Sequence, residues 1–318
     1  MIYIPLLPVY VYGALRTRRL LYFTAANPGI EMGGFFGEKK DEILDMIPEA
    51  YKVLGVHVQG KWSEQNLQAA MIDKNIQFPV IAKPNVGERG EGVRKIEDIR
   101  QLMRYQESEQ DFLIQEFVDY PLELGVLYAK MPGSTEGTIS SLTIKKFLTV
   151  LGDGRRTAKE LVSTHPRHRL YAQMLMECHP EKMSKVPAIG EEYEVHRIGN
   201  HSKGTQFLDA NAQINHSMVR VFDSLTKNIK GVFYGRYDLK VPSLEDLTAG
   251  KNVKIFELNG VSSEPGHMYD QRNILSAYKI LAEHWLHIVE ISNKNIKKGV
   301  ETTPLSIFLT TVKNHFLK

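Results

Sequence analysis

Apolar runs bounded by glycine, proline and charged residues recur along the middle of the chain. A short run of this kind predicts a buried β-strand, and we expect strands at residues 80–82, 93–96, 112–114, 125–128 and 254–259. Further along, apolar residues return at helical intervals. The residues at that spacing are Ile274, Tyr278, Leu281, Trp285 and Ile288. They predict a helix whose apolar stripe packs against the core.

The N-terminus has a different pattern, because residues 1–15 (MIYIPLLPVYVYGAL) contain no charge and Arg16, Arg18 and Arg19 follow at once. The run is shorter than a typical transmembrane helix, and two prolines interrupt it. A signal peptide would carry its positive charge before the apolar run. Two interpretations stay open. One is a buried strand or helix, and the other is an interfacial anchor in which residues 1–19 contact a membrane surface.

Composition narrows the class of protein. The chain has 318 residues, of which 42% are hydrophobic and 24% charged, as in ordinary globular proteins. Its net charge of +3 is far below that of a dedicated nucleic-acid binder, so we expect no nucleic-acid partner. Cys178 is the only cysteine, which excludes an intramolecular disulfide and a cysteine-based zinc site. We expect a cytoplasmic protein, at the inner face of the membrane if the N-terminal anchor is real.

A glycine-rich loop follows the first predicted strand. The order is strand, Lys83, Pro84, the glycine loop 87–92, and then a second strand. Glycines let backbone N–H groups approach a phosphate closely, because no side chain intervenes. A P-loop would place its lysine after the glycines, and both it and a Rossmann fingerprint would open a helix. The alternative from the pattern alone is an ordinary hairpin with a surface lysine.

Oxygen-bearing side chains are spaced for one strand face near residue 257. Residues i and i+2 of a strand point to the same side, so Glu257 and Asn259 point together, and Asp238 on a neighbouring strand can join them. Such ligands suit a magnesium ion that bridges nucleotide phosphates. The alternative is an exposed polar strand face. Arg236 shares a face with Asp238, and the alternative there is a plain salt bridge.

Four motifs occur in a fixed order along the chain: VIAKP with its glycine loop, LIQEFV with Glu123 after it, GRYD at 235–238, and FELNG at 256–260. In this order they resemble the ATP-grasp superfamily, and within it the D-alanine–D-alanine ligase and cyanophycin synthetase branch. Two further segments, TVLGDGRRTAKEL at 149–161 and VHRIGNHSKGT at 195–205, resemble stretches of cyanophycin-synthetase-like ligases. The resemblance covers roughly residues 75–292.

The resemblance implies an α+β ATP-grasp fold, with two α+β subdomains clasping ATP and a short N-terminal region. It places a reduced N-terminal segment at residues 1–74. The ATP-grasp domain is expected at 75–292, with a nucleotide-lid subdomain at 75–130 and a metal and substrate subdomain at 131–292. Residues 293–318 are then a C-terminal extension. A glycine-containing stretch at 24–38 is either a substrate loop or a connector.

The resemblance also implies a nucleotide site. Lys83 matches the lysine that contacts the phosphates, and the glycine loop matches the lid that closes over them. Gln115 or Glu116 would accept the adenine amino group, and Glu123 would take the ribose hydroxyls. The remaining residues implied to bind ATP are Gly87, Gly90, Gly92, Phe117, Val118 and Lys145. For Lys145 a solvated strand face is the alternative.

Catalysis is implied to rest on Arg236 and Lys83, with Mg²⁺ or Mn²⁺ held by Asp238, Glu257 and Asn259. The guanidinium of Arg236 would stabilise the transferring phosphoryl group. The residues expected to contact substrate are Arg197, His201, Ser262, Ser263 and His267. The alternative for residues 262–267 is an N-cap run for the helix that follows.

The function implied is ATP-dependent ligation, in which a carboxylate is activated as an acylphosphate and an amine then displaces phosphate. The expected partners are therefore a small-molecule or peptide carboxylate and an amine, and a homodimer is left open. Two alternatives are kept. One is an ATP-grasp small-molecule kinase, and the other is a non-catalytic nucleotide-binding regulator at the membrane surface.

Overall fold

The computed structural model describes residues 3–87, 90–197, 199–271 and 273–316. The chain forms two compact units. Unit 1 comprises Met1–Ile144 and Asp209–Lys318, and unit 2 comprises Lys145–Leu208. Helices and antiparallel strands occur in both, which confirms the predicted α+β class. The domain boundaries predicted at 74/75, 130/131 and 292/293 stay predictions, and the last of them falls within a long helix, Ile274–Lys297.

The strands are β1 (Gly55–Gln59), β2 (Val80–Pro84), β3 (Arg94–Ile96), β4 (Asp111–Glu116), β5 (Leu122–Lys130), β6 (Gly137–Lys146), β7 (Leu148–Leu151), β8 (Glu192–His196), β9 (Gln206–Asp209), β10 (Tyr234–Val241) and β11 (Lys254–Asn259). The α-helices are α1 (Leu7–Thr17), α2 (Lys40–Met46), α3 (Glu64–Asp73), α4 (Ile99–Ser108), α5 (Ala158–Thr164), α6 (Ala172–Cys178), α7 (Pro180–Ser184), α8 (His216–Thr226), α9 (Leu244–Ala249), α10 (Ile274–Lys297) and α11 (Leu305–Phe316). Each strand predicted from an apolar run is confirmed.

Unit 1 contains two antiparallel sheets. The first has the strand order β1-β4-β2-β3, and in the second the neighbours run β11-β10-β5-β6. One face of the first sheet packs with α3 and α4 around buried residues such as Val58, Leu102 and Ile114. One face of the second packs with α2, α8 and α9 around residues such as Phe222 and Tyr237. Alternate side chains point to the other face of each sheet. On the second sheet this face holds polar groups such as Asp238 beside apolar ones such as Leu127 and Ala129, which pack with α10.

The helix predicted from the apolar stripe is α10, and Asn273 caps it by accepting a hydrogen bond from the N–H of Leu275. Leu281 and Ile288 are buried as expected. Ile274 is exposed, so its predicted place in the core is wrong. The reason is position, because Ile274 opens the helix ahead of the turns that pack against α1.

The apolar N-terminus forms a 3-10 turn, Ile4–Leu6, and the helix α1 rather than a strand. Arg18 ends α1 in a left-handed conformation with φ of 56°. The inward face packs closely on its neighbours, since a Cβ on Gly13 would lie 2.5 Å from the ring of Tyr22. The outward face is exposed, so the predicted burial of this segment is confirmed for only one side of the helix. No helix among the described residues is both long and apolar enough to cross a membrane.

Unit 2 has its own small core, built by the antiparallel pair β7 and β8 with α5, α6 and α7. The GDG turn between β7 and α5 is held by Asp153, whose carboxylate accepts the N–H groups of Arg155 and Arg156. These bonds and the Arg156 side chain keep the pKa of Asp153 well below its usual range. Thr157 and Glu160 then form a reciprocal capping box at the start of α5. The segment at 149–161 thus has a clear structural role within this unit.

Candidate functional site

In unit 1, the face of the second sheet that lies opposite α2, α8 and α9 carries most of the predicted site residues. Alternation along β10 puts Arg236, Asp238 and Lys240 on that face. The register pairs Asp238 with Glu257 and Arg236 with Asn259 across β10 and β11. On the other side, Lys240 pairs with Glu123 of β5. The sheet therefore brings together the residues proposed for the metal, the ribose and the transferring phosphate.

Arg236 and Asp238 form a two-bond ion pair. Nε of Arg236 donates to Oδ1 of Asp238 at 3.0 Å, and Nη2 donates to Oδ2 at 3.2 Å. Asp238 is only 2% exposed, and Asn259 also reaches its Oδ2, at 3.4 Å. Burial acts to lower the pKa of Arg236, but the attraction of Asp238, Glu257 and Glu264 outweighs it and raises that pKa. The guanidinium is thus fixed and charged, which is the state a phosphoryl group requires.

Space for this ion pair comes from Gly125 on β5, which lies opposite Asp238. A Cβ at this position would be 3.3 Å from Oδ1 of Asp238 and 3.4 Å from Cδ of Arg236. Such a contact is tighter than ordinary packing, so a larger residue would push the pair out of place. The sequence motifs did not single out Gly125, and its position became clear only from the register of the sheet.

Lys83 is buried at the end of β2, which is inconsistent with a surface lysine in a hairpin. Its Nζ donates to the carbonyl oxygen of Phe256 at 2.8 Å, beside the Glu257 position on β11. Burial lowers the pKa of Lys83 to about 8. The negative charges of Glu257 and Asp238 oppose that effect, and the positive charge of Lys40 adds to it. The ammonium therefore lies close to the proposed metal ligands with its charge only partly compensated.

The two candidates for the adenine contact have different environments, because neighbouring strand residues point to opposite faces. The register of β2 and β4 puts Gln115 on the same face as Lys83. Gln115 is buried, and its Nε2 has no hydrogen-bond partner in the described part of the chain. Glu116 accepts the N–H of Leu54 at 2.9 Å and lies 2.7 Å from Nζ of Lys254. A buried amide donor without a partner is costly, so Gln115 is the better candidate for a ligand contact.

Lysine side chains organise the linker that follows β4. Nζ of Lys240 donates to the carbonyl oxygen of Val118 at 3.0 Å and lies 5.6 Å from the centroid of the Phe117 ring. Lys95 approaches the same ring, with its Nζ at 4.6 Å from the centroid. The sequence motifs pointed to neither lysine. Lys240 is the buried one of the two, and it shares a sheet face with Glu123. Its i+2 spacing from Asp238 was the sequence signal that could have identified it.

The glycine loop is anchored at both ends. Nζ of Lys40 donates to the carbonyl oxygen of Gly87 at 2.6 Å, and the hydroxyl of Tyr105 donates to that of Gly92 at 2.9 Å. Gly90 and Gly92 have φ of 69° and 71°, values that favour glycine. Glu88 and Arg89, at the centre of the predicted lid, lie outside the described residues. Gly87, Gly90 and Gly92 remain proposed phosphate contacts.

The stretch at 24–38 packs backbone to backbone against the turn after β11. Val261 and Ser262 donate their N–H groups to the carbonyl oxygens of Gly33 and Gly34, each at 3.1 Å. Asn27 is fully buried and fixes the stretch to β10. It accepts the N–H groups of Phe233 and Tyr234 and donates to the carbonyl oxygens of Gly33 and Tyr234. The stretch at 24–38 therefore supports the turn that carries Ser262 and Ser263.

The serines after β11 do not cap the following helix, since Asn273 does so. Ser263 is buried and donates its hydroxyl to the carbonyl oxygen of Gly260 at 2.6 Å, whereas Ser262 is exposed. His267 is buried with Nδ1 at 2.7 Å from the Ser141 hydroxyl, and burial lowers its pKa. The N-cap interpretation is therefore wrong. Contact of these residues with the acceptor stays a proposal.

The other predicted site residues belong to unit 2 and remain predictions. Within that unit Arg197 pairs with Glu194, with Nε to Oε2 at 2.8 Å. His201 lies edge-on to Phe207, with ring centroids 5.7 Å apart. Lys145 is buried, and its Nζ lies 5.9 Å from the centroid of the same Phe207 ring.

The donor set in unit 1 fits magnesium bound to a nucleotide. Among the described residues, no group of three His, Cys, Asp or Glu side chains is arranged as a metal centre. The candidate set consists of the carboxylates of Asp238 and Glu257 and the amide of Asn259. Mg²⁺ is commonly held by one or two carboxylates and completes its shell with phosphate oxygens and water. The buried amide of Gln115 and the ammonium of Lys83 supply complementary groups for a base and a phosphate.

Comparison with known families gives one match within this region. A model of the tubulin-tyrosine ligase family matches residues 46–126, which contain Lys83, the glycine loop and Gln115. That family is related to the ATP-grasp proteins, so the match confirms the resemblance to the ATP-grasp superfamily over this segment. Comparison with curated proteins finds no match.

Several solved structures are similar in fold. A bifunctional glutathione synthetase from Pasteurella multocida is 15% identical, with a TM-score of 0.38 over 76% of this chain and 35% of its own. D-alanine–D-alanine ligase from Bacillus anthracis is 12% identical, with a TM-score of 0.45 over 82% of this chain and 69% of its own. The biotin carboxylase domain of 2-oxoglutarate carboxylase from Hydrogenobacter thermophilus is 12% identical, with a TM-score of 0.44 over 82% of this chain and 46% of its own. The chain thus spans about a third of the first of these proteins and less than half of the third.

Proposed function

We propose that the chain is an ATP- and magnesium-dependent ligase that joins a carboxylate to an amine and forms ADP. The observation that carries the proposal is the common face shared by Arg236, Asp238, Glu257 and Asn259, with Lys83 donating to the adjacent backbone of β11. Asp238 and Lys83 are buried, and Arg236, Glu257 and Asn259 are part-buried. Charged groups that are removed from water in this way are usually paired with one another or with a bound ion or ligand, and they cluster at functional sites. The family match over residues 46–126 supports the same proposal.

Each residue has a chemical task in this proposal. Asp238, Glu257 and Asn259 hold Mg²⁺, which neutralises charge on the nucleotide phosphates when bound. Lys83 contacts the phosphates, and Arg236 stabilises the phosphoryl group as it passes to the substrate carboxylate.

The base and ribose have their own contacts in the same proposal. The adenine base meets Gln115, whose Nε2 would donate to a ring nitrogen of the base, and the ribose hydroxyls meet Glu123. Lys240 keeps the linker carbonyl of Val118 in place.

The proposed reaction has two steps. The γ-phosphoryl group of ATP is transferred to a carboxylate oxygen, which releases ADP and leaves a mixed anhydride of the carboxylate and phosphate. An amine then attacks the acyl carbon, the carbon–oxygen bond breaks, and inorganic phosphate leaves as the amine loses a proton. The chain needs no nucleophile of its own, because positioning and charge stabilisation supply the catalysis.

The test is ADP formation from Mg-ATP with a panel of carboxylates, including amino acids, hydroxy acids and short peptides, each with and without an amine. The responding carboxylate is then labelled with ¹⁸O. A ligase transfers one label to inorganic phosphate, since the carboxylate oxygen leaves with it. A stable phosphorylated product without free phosphate would instead identify a kinase. If the chain binds Mg-ADP but forms no ADP from Mg-ATP with any pair of carboxylate and amine, the non-catalytic nucleotide-binding regulator is favoured.

Matched variants tie the activity to the site. Glu257→Gln and Arg236→Met are expected to lower kcat by at least about 100-fold, as for loss of one electrostatic contact to a transition state. Asp73→Asn serves as the control, because the Asp73 side chain is 79% exposed on α3. Equal activity in all three variants would overturn the assignment of the site.

A further inference from the structure

The outward face of α1 is apolar along the length of the helix. Leu7, Val11 and Leu15 follow one another at intervals of four residues, and they are 58%, 46% and 74% exposed. Tyr12 lies beside them, and Ile4 in the preceding turn is 66% exposed. A surface helix of a globular protein normally turns polar side chains to water and apolar ones to the core. On α1 both faces are apolar, and Arg16 is its only charged residue.

The other face of α1 fixes how the helix is oriented. Gly13 and Thr17 are buried, and Gly13 lies against Tyr22 and Val289. The hydroxyl of Thr17 donates to the carbonyl oxygen of Gly13 at 2.7 Å, and that of Tyr10 donates to Leu20 at 2.8 Å. Rotation of the helix to hide its leucines would break this packing. The exposed row is therefore a fixed feature of the surface and not a result of loose attachment.

Within the N-terminal segment that carries the row, the charge has one sign. Residues 1–30 contain three arginines and no aspartate or glutamate. Arg16, Arg18 and Arg19 all lie exposed at the C-terminal end of the row. Arg16 makes a long contact with Glu290 of α10, whose Oε1 is 3.9 Å from Nε of Arg16, with both side chains well exposed. Contiguous exposed apolar surface next to a basic cluster is typical of an interaction site.

We infer that the outward face of α1, with Arg16, Arg18 and Arg19 at its end, is a docking surface for an anionic lipid membrane. The leucines and Val11 enter the boundary between headgroups and acyl chains, and the arginines meet the acidic headgroups. A second copy of the chain fits less well, because it would bring the same arginines with no carboxylate from its own residues 1–30. The inference does not depend on the proposed ligase function.

The test is sedimentation of the full chain with vesicles of phosphatidylcholine alone or mixed with phosphatidylglycerol. We expect binding to the mixed vesicles, weak binding to the neutral ones, and release at high salt. Two double variants are each expected to weaken binding to the mixed vesicles by at least about tenfold. They are Leu7→Gln/Leu15→Gln and Arg18→Gln/Arg19→Gln. The control is Leu170→Gln/Ile189→Gln in unit 2, where the side chains are 75% and 84% exposed. It should bind as the unaltered chain does.

Three outcomes would overturn the inference: no binding to anionic vesicles, equal weakening in the unit 2 control, or a dimer that the α1 variants convert to a monomer without any lipid binding. Light scattering on each variant measures the last of these. Circular dichroism confirms that the variants are folded, which is expected because every substituted side chain is exposed. ADP formation with small carboxylates should stay unchanged in the α1 variants, so failure of this inference and failure of the ligase proposal are distinguishable.

Discussion

Lys83 shows how one buried side chain sets a pH dependence. Burial lowers its pKa to about 8 in the free protein, so the ammonium is mostly deprotonated above that pH. A bound phosphate favours the charged form and raises the pKa again. Nucleotide affinity is therefore expected to be highest below pH 8 and to fall by up to about tenfold per pH unit above it. Calorimetric titration with Mg-ADP across pH 7–10 measures this.

Proton uptake on binding of Mg-ADP tests whether Lys83 is the group that causes this pH dependence. At pH 9 the heat of Mg-ADP binding should vary with the ionisation enthalpy of the buffer, because Lys83 takes up a proton on binding. Lys83→Arg keeps a positive charge that does not titrate in this range. That variant should lose both the buffer dependence and the decline in affinity. If Lys83→Arg retains them, another group is responsible and the placement of Lys83 beside the phosphates is contradicted.

The ion pair of Arg236 with Asp238 predicts a stability effect in the absence of any ligand. Asp238→Asn would leave the guanidinium of Arg236 held in a mostly buried position without its nearest negative charge. The free energy of unfolding is expected to fall by about 3 kcal/mol. Urea unfolding at pH 7 measures it, with the exposed Asp73→Asn as a control that should stay within roughly 0.5 kcal/mol of the unaltered chain. Equal values for the two variants would mean that the pair contributes nothing to the fold.

At the scale of elements, the stretch at 24–38 packs closely against the turn after β11. A comparison of two glycine variants tests how much this packing contributes to stability. Gly34 and Gly60 both have a left-handed φ, of 77° and 75°. A Cβ on Gly34 would lie 2.6 Å from Cα of Gly260, whereas one on Gly60 would have no atom within 4 Å. Both alanine variants carry the cost of a positive φ, so the difference between them reports mainly the contact with Gly260.

Gly34→Ala is expected to lower the free energy of unfolding by about 1–3 kcal/mol more than Gly60→Ala does. It should also weaken acceptor binding more than Mg-ADP binding, because the displaced turn carries Ser262 and Ser263. Denaturant unfolding measures the first effect. The KM for the responding amine, compared with the Kd from titration with Mg-ADP, measures the second. Equal destabilisation by the two alanines would show that the stretch does not support the turn.

Strand positions and much of the site could be predicted from the sequence, because both follow from a simple period. The i and i+2 rule put Glu257 beside Asn259 and Arg236 beside Asp238, and the structure has both pairs on one face. The choice between Gln115 and Glu116 could not be made in this way. It depends on the register of β4 and on the contact of Glu116 with Lys254, a residue 138 positions away.

Other features depended on contacts that a single sequence does not encode locally. The apolar run of α1 fits a strand or a helix equally well, because it lacks the periodicity that separates the two. Gly125 looks like any strand glycine until its partner Asp238 is known. Asn27 lies in an apparent connector, yet it binds the backbone of β10 more than 200 positions away.

At the scale of the whole molecule, unit 1 buries several polar side chains on its two sheets and in the segment that follows β11. They are Lys83, Gln115, Glu123, Ser141, Thr143, Asp238, Lys240, Ser263 and His267. Burial of this many polar groups lowers the net stability of a domain unless each finds a partner. Most of these groups have a partner within the chain, whereas Nε2 of Gln115 has none among the described residues. A bound magnesium nucleotide would supply one, and the chain should gain stability because the nucleotide binds only the folded state.

Thermal unfolding of the full chain with Mg-ADP is the measurement that tests this central claim most directly. A ligand that binds only the folded state adds about 2.7 kcal/mol of stability when its free concentration is roughly 100 times Kd. We predict a rise in Tm that needs magnesium, is smaller with Mg-GTP, and is lost in the double variant Asp238→Ala/Glu257→Ala. An equal rise in the double variant, or no rise at saturating Mg-ADP in the unaltered chain, would contradict the nucleotide site described above.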